Sequence, residues 1–137
     1  MERRDYLEVQ IEQLGQVLRA IANLLGAKKT LGAEAVNQQA SQALKEELGF
    51  DVDALTGVPD NDFIAHLANT GRFNNQNYEA LATILVGIAQ SATNDIISKN
   101  LYSKALLLYK HVDEADRTYS ANRYQQILQI EGVLASL

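Results

Sequence analysis

Six apolar residues near the start of the chain, Leu7, Ile11, Leu14, Leu18, Ile21 and Leu25, follow one another at steps of 4, 3, 4, 3 and 4. A strand repeats every second residue, so this spacing puts all six on one stripe of a helix and excludes a sheet for the segment. Val17 and Leu24 widen the stripe on one side, while Gly15 and Ala22 keep the other side thin enough for a close neighbour. Asp5 is a helix-capping residue type and Gly26 a natural stop, so the pattern predicts a helix over 5–25. A stripe of this length fits either a seam within one chain or a dimer contact; the first needs no partner and is the simpler expectation.

Helical periodicity continues downstream. Val36, Ala40, Leu44 and Leu48 form an i, i+4 row over 33–48, between the polar hinge K28-K-T-L-G32 and Gly49. The stretch F50-D-V-D-A-L-T-G-V-P59 reads as a short helical turn capped by Asp51, then a loop closed by Pro59. Asp60 is expected to cap a brief helix over 61–69, which stops before Gly71. In N69-T-G-R-F-N-N-Q-N77 the asparagines compete for backbone groups, which predicts a loop ending in a helix cap. A helix over 78–93 then shows the seam Tyr78, Leu81, Leu85, Ile88, Ala92.

Between Ser91 and Asn100 the chain either bends or breaks, and Asp95 with Lys99 at i, i+4 favours one continuous helix. Further helices are predicted over 99–116 and 120–136, the last capped by Ser120, with Tyr124, Ile127, Leu128, Leu134 and Leu137 on its apolar face. Strand-type alternation of useful length is missing, so residues 1–137 are expected to form one all-α domain.

Composition narrows the function classes. With 47% hydrophobic residues and one proline, a chain of 137 residues can bury a real core. Having no cysteine, it has no disulfide, thiolate nucleophile or cysteine-held metal. A formal charge of -5 disfavours a nucleic-acid partner, because phosphate backbones are held by clustered Lys and Arg. Apolar runs such as 84–89 and 105–109 fall far short of the roughly 20 residues that cross a bilayer. Glu8, Gln10, Glu12 and Gln13 interrupt the place where a secretion signal would be apolar, so a cytoplasmic protein with no membrane partner is expected.

Candidate chemistry is sparse. Asp62 with His66 at i, i+4, and His111 with Glu114 at i, i+3, could each face one metal, but each offers fewer than the three or four ligands of a site. Neither is assigned a metal. The acid pairs Asp51 with Asp53, Glu46 with Glu47, and Asp113 with Glu114 diverge around a helix and read as solvated charge. Glu131, near the last helix's apolar face, would want Lys or Arg beside it. The serines have no His partner in sequence and the glycines form no phosphate-binding cluster, so no catalytic or cofactor residues are assigned.

Tyr102 and Tyr109 in Y102-S-K-A-L-L-L-Y109 stand two helical turns apart with Ala105 between them, which reads as a packing seam rather than a site. This segment, with T118-Y-S-A-N-R-Y124, R4-D-Y-L-E-V-Q-I-E-Q-L-G15 and L48-G-F-D-V-D-A-L55, resembles an uncharacterised bacterial family of tetratricopeptide-like helical proteins, a domain of unknown function. The resemblance implies tetratricopeptide-like helical hairpins in a compact right-handed superhelical or bundle arrangement. It casts Ala89, Ala92 and Ala105 as the small residues at helix crossings and Tyr109 as the aromatic plug. From Ala89 to Ala105 is 16 residues, about one helical turn more than the motif's spacing, and no 34-residue repeat is visible.

The function these readings imply is a non-enzymatic protein-protein interaction or scaffold module, with no cofactor, a protein or peptide partner, and self-association as a homodimer or other homo-oligomer. The residues expected to mediate contact are Leu7, Ile11, Leu14, Leu18, Ile21 and Leu25 on the first helix, with Lys104 and Arg123 near the best hairpin. Asn94, Lys99 and Asn100 surround the same hairpin. The alternative is a small helical enzyme or metal-binding protein using His66, His111 and nearby carboxylates.

Overall fold

The computed structural model describes residues 3–26, 32–49, 51–116 and 118–137, with the side chains of the first helix from Tyr6 onward. The hinge expected at K28-K-T-L-G32 falls, but for Gly32, outside the described residues. Helices in chain order are α1 (Arg3–Gly26), α2 (Ala33–Leu48), α3 (Val52–Thr56), α4 (Asp60–Ala68), α5 (Asn75–Ala89), α6 (Asp95–Ala115) and α7 (Ala121–Ser136). Among the described residues there is no strand, so the chain is all-α. No described helix is long and apolar enough to cross a membrane.

Several ends move from where the pattern placed them, each for a capping reason. α1 already includes Arg3, so Asp5 lies inside its first turn instead of capping it. α2 matches its predicted bounds, because Gly49 adopts φ 83 and returns its N–H to the Lys45 carbonyl. Asp51 caps α3 as expected, accepting from the Ala54 N–H at 2.8 Å. Asp60 is the first residue of α4 and does not cap it; Pro59 holds the capping position.

α5 runs over 75–89 and not 78–93, because Asn74 accepts the Asn77 N–H at 2.9 Å and starts the helix three residues early. The chain breaks after α5, with Ser91 N–H to Ile88 and Ala92 N–H to Ala89 tightening its last turn. Asn94 then accepts the Ile96 and Ile97 N–H groups and opens α6 at 95, not 99. The continuous helix favoured by Asp95 and Lys99 is therefore not formed. α6 ends at Ala115, and Ser120 caps α7 by accepting from the Arg123 N–H.

α1 and α5 run side by side in the same direction. Gly15, midway along α1, faces Asn77 near the start of α5, and near their ends Gly87 of α5 faces Leu25 of α1. Each helix thus supplies the missing side chain at one contact, letting the axes approach. α6 returns antiparallel to α5: His111 meets Tyr78, Tyr109 meets Thr83, and the Ser98 hydroxyl donates to the Ala89 carbonyl at 3.2 Å. α7 turns back again on α6, where Lys110 pairs with Glu131 and Asp113 with Arg123.

The stripe on α1 answers its own question. Leu14, Leu18, Ile21 and Leu25 are buried within this chain, against α2 and α5; Ile11 is half-buried and Leu7 is 38% exposed. Tyr102, Ala105 and Tyr109 are buried together, so that segment is a packing seam. Ala89 is buried and Ala92 half-buried. On α7 the inward residues are Arg123, Ile127, Ile130 and, in part, Val133 and Leu134. Tyr124, Leu128 and Leu137, expected on that inward face, lie outside it at 48%, 48% and 45% exposure. The cause is that α7 carries two apolar stripes and buries the one that contains Arg123.

Candidate functional site

A furrow follows the outer faces of α1, α5 and α7. It consists of three clefts that share walls. The first, about 460 Å³, lies between Glu8, Ile11, Glu12 and Gly15 of α1 and Asn74, Gln76 and Asn77 at the start of α5. Arg19 and Gln76 also border the second, about 350 Å³, which adds Glu79, Ala80, Thr83 and, from α7, Asn122. Thr83 passes into the third, about 270 Å³, with Ala22, Leu25, Val86 and Gln126. Glu8 and Gly26 mark its ends along α1. At a rise of 1.5 Å per residue this is a groove of roughly 27 Å, the span of about eight residues of extended chain.

Asn77 sets the depth of the first cleft. It is buried, and its side-chain amide donates to the Ile11 carbonyl and the Arg72 carbonyl, each at 2.9 Å. That position is open only because Gly15 has no side chain: a β-carbon there would stand 2.8 Å from the Asn77 Oδ1. Arg72 in turn donates to the Glu47 carbonyl at 3.1 Å and pairs with the Glu47 carboxylate, tying the start of α5 to the end of α2.

Arg123 fixes the second cleft from behind. Its side chain is 3% exposed, and its guanidinium donates to Asp113 at 3.1 Å and to the Thr118 carbonyl at 3.0 Å. Asp116 lies at 3.6 Å and Glu79, on the groove wall, at 3.9 Å. The neighbouring Thr83 hydroxyl meets the Tyr109 hydroxyl at 2.9 Å. Burial pushes the Tyr109 hydroxyl above the ordinary tyrosine range; the Thr83 hydrogen bond opposes this and the Glu79 charge adds to it.

Of the residues expected to make outside contacts, Leu7 is exposed and most of the others are placed inside the fold. Leu14, Leu18, Ile21 and Leu25 are core; Ile11 and Leu25 also edge the furrow. Arg123 is a tie beneath the groove and not a ligand on its surface. Lys104 is 5% exposed on α6, where its ammonium donates to the Val58 carbonyl at 2.6 Å and to Asp60 at 2.5 Å, above the Phe63 ring. It docks the start of α4 and faces no opening, because a buried ammonium needs its charge and donors matched inside the fold. Asn94 is used as the α6 cap, while Lys99 and Asn100 are exposed.

His66 is exposed on α4, and half-buried His111 packs edge-on against Tyr78, with ring centroids 5.0 Å apart. Among the described residues no three His, Asp or Glu side chains gather as metal ligands would. Glu131 finds the cation it was expected to want, Lys110 at 3.6 Å, with both about half exposed.

Sequence reasoning missed the groove's own residues: Gln76, Asn77, Thr83, Asn122 and Gln126. The available signal was Gly15, a helix-weakening residue in the middle of an otherwise strong apolar stripe. Comparisons of the chain with protein-family models, with curated proteins and with solved structures find no match in any of the three. The groove's chemistry is therefore what bears on function. The side-chain amides of Gln76, Asn122 and Gln126 along it can both donate and accept, which suits a backbone whose N–H and C=O groups alternate. Ala22, Leu25, Ala80 and Val86 leave shallow apolar recesses between them.

Proposed function

We propose that the chain is a non-enzymatic interaction module that holds an extended segment of a partner protein along α1, α5 and α7. The observation that carries this reading is the continuity of the furrow, in which Arg19, Gln76 and Thr83 each belong to two successive clefts. Enclosed pockets suit small substrates; a long open channel lined by amides suits a chain. The tetratricopeptide-like arrangement expected from the sequence is part of the proposal. It is supported by two successive helix pairs, α1 with α2 and α5 with α6, whose first members run parallel, and by the buried alanines Ala89 and Ala105.

Selection of unstructured peptides displayed on phage tests this directly. The proposal expects enriched sequences that bind the wild-type chain and lose at least about tenfold in affinity to Ala80→Arg, which fills the middle cleft while the circular dichroism stays helical. Equal binding to the variant, or no enrichment after repeated rounds, would overturn it.

A further inference from the structure

We infer that the outward stripe of α7 pairs with the same stripe of a second copy, antiparallel about a two-fold axis at Leu128. α7 packs on α6 with its inward face, yet Ala121, Tyr124, Leu128, Gly132 and Ala135 all point away from the chain. They recur at helical spacing on one side, and Tyr124 and Leu128 are each 48% exposed. Tyr119, 73% exposed, leans on Tyr124 with ring centroids 6.2 Å apart and extends the apolar surface.

Gly132 points to a neighbour at close range. A glycine inside a helix costs about 1 kcal/mol relative to alanine. Elsewhere that cost has a visible cause: Gly15 makes room for Asn77 and Gly87 for Leu25. A β-carbon on Gly132 would meet nothing within 4 Å, so nothing inside the chain calls for the gap.

Self-complementarity identifies the neighbour as a second copy. Tyr124 lies four residues before Leu128 and Gly132 four after, so an antiparallel two-fold sets each tyrosine ring over the partner's glycine. The same axis pairs Ala121 with Ala135 and Gln125 with Glu131, whose charge Lys110 of its own chain already balances. Asn122 and Gln126, the α7 contributions to the groove, lie on another side of the helix, so the groove stays open in the pair. One helix pair of this length is at the small end of specific interfaces, where weak and transient associations lie, so a weak, concentration-dependent dimer is expected.

Sedimentation equilibrium of the full chain over a concentration series is the test. Wild type is expected to pass from monomer to dimer; Gly132→Tyr, which sets ring against ring, should weaken association at least about tenfold. The double exchange Tyr124→Gly with Gly132→Tyr restores a ring over a gap and should recover most of the loss. Gly132→Gln guards against misfolding, since it should raise the melting temperature while still weakening the dimer. A monomer at every concentration, a dimer that survives Gly132→Tyr, or a double exchange no better than Gly132→Tyr alone would each overturn the inference. Peptide binding in the groove is independent of all three outcomes.

Discussion

Asn77 occupies the volume that a side chain on Gly15 would need, and from there its amide crosses to the Ile11 carbonyl at 2.9 Å. Placing an alanine at position 15 gains helix propensity of about 1 kcal/mol but drives a β-carbon into an oxygen whose amide is held at two points. Gly15→Ala is expected to lower stability by about 1–3 kcal/mol, and the same change in an Asn77→Ala background to be neutral or stabilising. Denaturant midpoints of the four proteins in this cycle check it. Additive effects would mean that the two positions do not meet.

Arg123 carries one buried positive charge among Asp113, Asp116 and Glu79. Arg123→Met keeps the apolar stem and removes the charge, leaving three acids in mutual repulsion. The acids are part-exposed, so the loss falls below that of a wholly buried pair, at about 2 kcal/mol. Added salt screens the repulsion and should recover part of this loss in the variant and little in wild type. Thermal melts at two ionic strengths measure both; a loss insensitive to salt would assign the role of Arg123 to its hydrogen bonds with Asp113 and the Thr118 carbonyl and not to charge balance.

Tyr109 gives the fold an alkaline limit. Burial holds its hydroxyl above the ordinary value of 10.0, so the unfolded chain releases that proton first as pH rises. Its contribution is complete below pH 10 and is lost as pH climbs toward the folded value. Tyr109→Phe forfeits the Thr83 hydrogen bond, worth about 1 kcal/mol at neutral pH, and escapes the alkaline loss. The stability gap between the two proteins should narrow between neutral pH and about pH 11. A constant gap would place the Tyr109 hydroxyl in a solvent-like setting.

Elements whose ends are fixed by local chemistry were legible in the sequence. Gly49 ends α2 through its left-handed backbone, Asp51 caps α3 and Ser120 caps α7, each within a few residues of the groups it serves. Where several residues could serve, local chemistry was ambiguous. Asn74 and Asn77 are equally good caps; Asn74 takes that role because Asn77 is drawn sideways to α1, 66 positions away in sequence. α7 posed the same difficulty, since Arg123 on one stripe and Tyr124 on the other argue for the wrong inward face until Asp113 and Asp116 are seen to neutralise the arginine. The groove was illegible for a related reason. It exists only where α1, α5 and α7 come together, and no one of them carries its pattern alone.

The central claim is that a partner segment lies in the furrow of α1, α5 and α7. Amide chemical-shift mapping of the labelled chain, titrated with a peptide selected for binding, addresses it most directly. Shifts concentrated at Glu12, Arg19, Gln76, Thr83 and Asn122, in line across three helices, are the predicted result. Shifts gathered on α2 and α6, or on the outward stripe of α7, would contradict it.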